Sequence, residues 1–152
     1  MMRYVDSAMV FRNAELSGHA LFVVVFPSQS MAKVVVDMTL CDKTHKITVN
    51  LKEDGNLSLH IATDCKNIKE YAKKLGDTLT MDDVVDWKIS RIYDHDICSA
   101  ASITCLVPAG VMNAAWLELG MISKNRARDA KTNCIRFVKK NGNELSNELL
   151  DE

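Results

Sequence analysis

The side chains with the most chemistry to offer are five cysteines, Cys41, Cys65, Cys98, Cys105 and Cys134. A thiolate binds soft metals and attacks electrophiles, so more thiols than packing needs point to metal, redox or nucleophilic chemistry. The count is odd and no two are spaced C-x-x-C, which argues against an extracellular disulfide framework and a thioredoxin-like motif. The spacing is wide: 23 residues (42–64) separate Cys41 from Cys65, and 39 residues (66–104) separate Cys65 from Cys105. Such intervals are unlike those of a zinc finger, so these thiols meet only if the fold brings them together. Cys134 lies in an apolar, strand-like segment and is expected to be a small core hydrophobe.

Other ligand types are present with weaker claims. His45 and His60 would add imidazole nitrogen to a thiolate site, although half-exposed surface histidine is the plainer expectation for both. His95 sits between Asp94 and Asp96 in an acidic surface cluster, and His19 falls in the first thirty residues. Asp42, directly after Cys41, is a carboxylate that would support the metal ligands from outside, while an Asp in a turn needs no such reason. The cations of Lys124-Asn125-Arg126-Ala127-Arg128 read as a solvated loop. No phosphate-binding glycine loop, H-E-x-x-H or G-x-S-x-G motif occurs, so nucleotide, zinc-protease and hydrolase-elbow readings have no support.

The elements that must position these residues follow from periodicity. Val34-Val35-Val36 opens a strand running toward Leu40. Ile47, Val49 and Leu51 alternate with polar residues, as do Leu57, Leu59 and Ile61, with Glu53-Asp54-Gly55-Asn56 as the turn between them. The pattern predicts a three-stranded antiparallel meander. Asp64 is the expected N-cap of a helix carrying Ile68, Tyr71, Ala72 and Leu75, with Gly76 as its stop. Thr80-Met81-Asp82-Asp83 has the form of a capping box for a shorter helix. Residues 87–101 are expected to be partly helical. Pro108 suits the first turn of a helix ending near Gly120, with Val111, Met112, Ala115 and Leu119 buried. A last strand is expected over Thr132–Val138. The fold class is therefore α+β, a meander followed by helices and a late C-terminal strand. Residues 1–30 read as a leader of uncertain status in which Leu21 to Phe26 would add a strand. The working domain spans 31–140, and 141–152 is a polar, acidic tail.

Length and composition agree with one core. The chain has 152 residues, 47% of them hydrophobic and 26% charged. Its 19 Lys and Arg against 20 Asp and Glu leave a formal charge of −1, which removes the electrostatic argument for nucleic acid or an anionic membrane. No apolar run approaches the roughly 18–20 residues of a membrane span. Aromatics are 6%, too few for a base-stacking platform. Without a secretory signal, the thiols are expected to be reduced in a cytoplasmic protein.

On this outline Cys41 follows the first strand, Cys65 stands between the third strand and the first long helix, and Cys105 precedes the Pro108 helix. All three fall at element ends, where unpaired backbone N–H groups favour a thiolate. The order from Val34 to Leu119, with Cys41-Asp42 and Thr80-Met81-Asp82-Asp83-Val84, resembles the U-type (NifU/IscU-like) iron–sulfur scaffold family. That resemblance implies that Cys41, Cys65 and Cys105 hold a nascent cluster or a zinc ion. It is imperfect: Asp42 directly follows Cys41, Lys66-Asn67 follows Cys65, and Thr104 precedes Cys105 where that family has histidine. Ala62-Thr63-Asp64-Cys65-Lys66-Asn67-Ile68 and Cys105-Leu106-Val107-Pro108 are similar to a family of small four-cysteine proteins of unknown function from methanogens and anaerobic bacteria. There Cys98 would be an optional fourth member. Three readings stand: a metal- or cluster-binding protein, with a protein partner to be identified; a thiol redox protein or sensor using Cys65; and a non-catalytic accessory domain with buried cysteines.

Overall fold

The computed structural model describes residues 31–137; the leader 1–30 with its Leu21–Phe26 segment, the end of the domain and the tail from 141 lie outside them. Alternation does what it predicts in the first half. Strands β1 (Ala32–Met38), β2 (Lys43–Leu51) and β3 (Leu57–Ala62) form an antiparallel meander, in register Val36 to His45 and Ile47 to Ile61. Gly55 takes φ +84° in the β2–β3 turn, a conformation open to glycine at little cost. A two-residue strand, β4 (Thr78–Leu79), pairs with the start of β3 and completes the order β1-β2-β3-β4.

Helix α1 (Lys66–Leu75) buries Ile68, Tyr71 and Leu75, one helical stripe as expected, and ends at Gly76. Its N-cap position is Cys65 and not Asp64; the Asp64 carboxylate is drawn instead to Lys43 Nζ at 2.9 Å. Helix α2 (Met81–Val85) carries the predicted capping box between Thr80 and Asp83. Asp83 is buried and is also gripped by Arg91 Nε at 2.9 Å and Nη2 at 2.6 Å. Residues 87–101 hold a single 3₁₀ turn (Arg91–Tyr93) and the one-turn helix α3 (His95–Cys98).

Helix α4 (Val107–Glu118) has Pro108 in its first turn and lies across β1 and β2. Val111, Ala114 and Ala115 are fully buried, while the expected Met112 and Leu119 are packed at the core's margin. Contact is so close that a Cβ on Gly110 would collide with the side chains of Val36 and Ile47. The core lies between this helix, α1 and the inner face of the sheet, with Ile47, Val49, Leu57, Tyr71 and Val111 at its centre.

The C-terminal region differs from its pattern. Lys124–Arg128, read as a solvated loop, lies in helix α5 (Lys124–Ala130), started by Ser123 Oγ, which accepts the Arg126 N–H; none of its residues is buried. Residues 132–137 form no strand, and Ile135 and Phe137 are exposed at 64% and 71%. Period-two apolar spacing yields a strand only where a sheet edge pairs with it, and no described strand does so here. Cys134 is accordingly exposed and not a core residue.

Candidate functional site

The meander dictates where the three element-end cysteines go. β1 and β3 both flank β2 antiparallel, so both end at the same edge of the sheet, where the β1–β2 turn presents Cys41 and the β3–α1 junction presents Cys65. Helix α4 runs back over β1 from that edge. Leu106, the residue just before the helix, meets Met38 at the end of β1, while Glu118, its last residue, accepts the Ala32 N–H at 2.9 Å and the Leu51 N–H at 3.0 Å. Cys105, just before α4, therefore stands at the same end as Cys41 and Cys65.

Hydrogen bonds hold these turns together. The Cys41 N–H donates to Met38 O at 3.2 Å, and the Cys41 thiol faces the same carbonyl at 3.6 Å. The Met38 thioether accepts the Leu106 N–H at 3.4 Å, tying the Cys41 turn to the residue after Cys105. On the neighbouring seam, Lys43 and Asp64 join the start of β2 to the β3–α1 junction. Beneath that ion pair, Thr63 Oγ1 accepts the Cys65 N–H at 3.0 Å and lies 2.7 Å from His45 Nδ1.

His45 is not the half-exposed residue its polar character suggests. It is 1% exposed, facing inward with Ile47 and Val49. Burial lowers its pKa, Asp64 works against that, and Lys43 adds to it, so the ring is held neutral. His60 is exposed, in line with the polar parity of its strand. His95 is exposed and lies 3.2 Å from Asp96.

The thiols differ in setting. Cys41 is exposed, Cys65, Cys98 and Cys105 are half-buried, and all are free. Burial pushes the Cys105 thiol above its ordinary range, the Val107 N–H opposes this, and the charges of Cys41 and Cys65 push it further up. Cys105 thus feels both partners. Cys98 sits apart on α3, its thiol 3.3 Å from Ile92 O; burial raises its pKa, followed by Asp94 and Cys105. Asp42 is exposed in a left-handed turn at φ +52°, a conformation Asp tolerates better than most residues, and Lys43 feels its charge. Among the described residues, no three His, Cys, Asp or Glu side chains form a ready cage for a metal ion. Neither of the two best-formed surface depressions, one lined by Lys69, Glu70, Lys73 and Lys74 and the other by residues 50–54, includes a cysteine.

Two residues of this neighbourhood, Met38 and Thr63, carry no expectation of a role in the sequence, and the burial of His45 is unexpected. Strand parity would have found His45, since it shares a face with Ile47 and Val49. The reach of Met38 and Thr63 depends on the register of β1, β2 and α4.

An α+β protein with a four-stranded antiparallel sheet and three free thiols gathered at one sheet end is the class that fold and site define. More particularly, the chain belongs to DUF6951, a family of unknown function, which matches residues 32–130. The matched span includes Cys41, Cys65, Cys98 and Cys105 and stops short of Cys134. No curated protein and no solved structure matches the chain. No helix among the described residues is long and apolar enough to cross a membrane.

Proposed function

We propose that this protein binds a thiophilic metal centre, a zinc ion or an iron–sulfur cluster, through Cys41, Cys65 and Cys105. Cys98 is an optional further ligand, and Asp42 supports the site from outside. The observation that carries this reading is the stitching of three cysteine-bearing turns to one end of the sheet. The donor chemistry agrees with it. Burial, with the charges of Cys41 and Cys65 behind it, raises the Cys105 thiol, and a cation bound there would replace its proton and offset that cost. Cys41 is exposed and buries nothing, so packing does not account for it. Its turn is free of the core, which gives the third ligand room to close on the ion. The likeness to U-type scaffolds supports the same three ligands.

The bound metal would draw the three turns together and act as a Lewis acid or cluster core, while the protein supplies thiolates and the hydrogen bonds that aim them. A reducing, cytoplasmic setting suits such thiols. The thiol-sensor reading, which uses Cys65, stands second: burial raises the pKa of Cys98 and Cys105 and so disfavours either as the attacking thiol, which leaves that reading with Cys65 alone. The test is anaerobic purification with metal and sulfide analysis, followed by reconstitution and an optical spectrum. Metal bound by the wild type and lost in the Cys41→Ser, Cys65→Ser and Cys105→Ser variants is expected. Protein that takes up neither zinc nor iron under these conditions contradicts the proposal.

A further inference from the structure

The two edges of the sheet are finished differently. β4, at one edge, is two residues long, and so short a strand offers little to pair with. β1, at the other, runs seven residues with three consecutive valines, in unbroken register with β2. It carries no proline and no bulge, and no described strand lies along its outer side. Hydrogen bonding fixes which of its backbone groups face out. The Leu59 N–H donates to Asp77 O at 2.8 Å, on the β4 side, so Ser58 and His60 turn to β2 and meet Asn50 and Thr48. Val49, Ile47 and His45 then turn to β1 and meet Ala32, Val34 and Val36. That leaves the N–H and C=O of Lys33, Val35 and Asp37 aimed at the open edge. The side chains of the same three residues are exposed on the outer face, Val35 at 57%.

We propose that β1 pairs antiparallel with β1 of a second copy of this chain, about a two-fold axis at Val35, joining the two sheets into one. The edge is complementary to itself. In that register Val35 meets Val35, and Lys33 of one protomer faces Asp37 of its partner on both sides of the axis. All three pairs bring outward backbone groups face to face, so each exchanges two hydrogen bonds. Opposite charges directly across a strand pair add to this. Moving the axis to Val34 or Val36 would set a charge against Val35 and undo both ion pairs. The Thr44 hydroxyl, 2.8 Å from Asp37 Oδ1, already steadies that carboxylate on the outer face. Helix α4 packs on the inner face, close against Val36 and Ile47, and two copies of it would lie side by side over the joined sheet. The pairing is independent of the cysteine site.

The test uses the full chain, sedimented over a range of concentrations with a thiol reductant present, because Cys41 and Cys134 are exposed. A particle of twice 17.0 kDa is expected at high concentration. Asp37→Lys and Lys33→Asp each set like charges opposite one another and are expected to weaken self-association about tenfold or more. The two variants mixed together, and the swapped chain Lys33→Asp/Asp37→Lys, are expected to recover it, since both restore opposite charges across the axis. Val35→Lys, which places two cations at the axis, serves as the disrupting variant if either single substitution fails to fold. Hydrogen exchange of the Val35 amide is expected to slow as the chain associates. A chain that stays monomeric at every concentration, or a dimer indifferent to these substitutions, overturns the proposal. Failure of both the mixture and the swap to recover association overturns the register at Val35. A Val35 amide protected in a monomer also overturns the pairing and assigns the edge to another segment of the same chain, such as residues 21–26.

Discussion

Thr63→Val is the sharpest probe of how the junction before α1 is built. Valine keeps the shape of threonine and removes the oxygen that accepts the Cys65 N–H at 3.0 Å and meets His45 Nδ1 at 2.7 Å. Because His45 is 1% exposed, water cannot replace its partner freely, and an unpaired buried ring nitrogen costs about 1–3 kcal/mol. The Cys65 N–H is half-buried at a helix start, so its loss adds about 0.5–1 kcal/mol. The extra methyl returns up to about 0.8 kcal/mol. The net loss is about 1–3 kcal/mol, a fall in Tm on the order of 5–20 °C for a domain of this size. Thr63→Ser, which keeps the oxygen, is expected to lose only about the value of one methyl, roughly 0.8 kcal/mol. Urea unfolding measures both. In the same samples, the alkylation rate of Cys65 relative to Cys41 is expected to change in the valine variant and not in the serine one. A Thr63→Val protein as stable as wild type, or a serine variant equally damaged, would refute the role given to this hydroxyl.

Three other outcomes follow from the packing and the charges. Acid should act in two windows. His45 has a depressed folded pKa, so the unfolded chain takes up its proton first, and stability falls as pH drops below about 6.5. Urea unfolding from pH 7.5 to 5 should show that slope, and His45→Asn should flatten it. Burial opposes ionisation of Asp83, but Arg91 and Thr80 hold its carboxyl below the usual range, which places a second loss below about pH 4. Asp83→Ala removes the Thr80 capping box and the carboxylate that Arg91 grips. The Arg91 side chain stays 42% exposed and can turn to water, so a cost of about 1–3 kcal/mol is expected by chemical denaturation, whereas a change under about 0.5 kcal/mol would contradict the role given to this carboxylate. Gly110→Ala gains up to about 1 kcal/mol of helix propensity but forces α4 off Val36 and Ile47. A net loss of about 1–2 kcal/mol is expected in thermal melts, and a stabilised variant would show that the helix can lift.

Much of this fold is legible from spacing alone. The alternation in β2 and β3 and the Ile68, Tyr71, Leu75 stripe of α1 name their buried faces directly. Pro108 and the Thr80–Asp83 box mark two helix starts. What spacing does not hold is the pairing of distant segments. β4 is two residues long, too short for any period. Thr132–Phe137 alternates like a strand and has no described edge to join. The gathering of Cys41, Cys65 and Cys105 depends on β1 and β3 ending at one edge and on α4 starting over it, which is a property of topology. The polarity of His45 suggests a half-exposed residue, while its parity with Ile47 and Val49 puts it on the buried face. Met38 and Thr63 look ordinary in the sequence and gain their roles from what lies across the turn.

The measurement that bears most directly on the central claim is X-ray absorption at the metal edge of anaerobically loaded protein, taken with zinc. Three sulfur neighbours at about 2.3 Å, falling to two in each of the Cys41→Ser, Cys65→Ser and Cys105→Ser variants, is the predicted result. A first shell of nitrogen and oxygen alone, or one unchanged by any of the three substitutions, would contradict it.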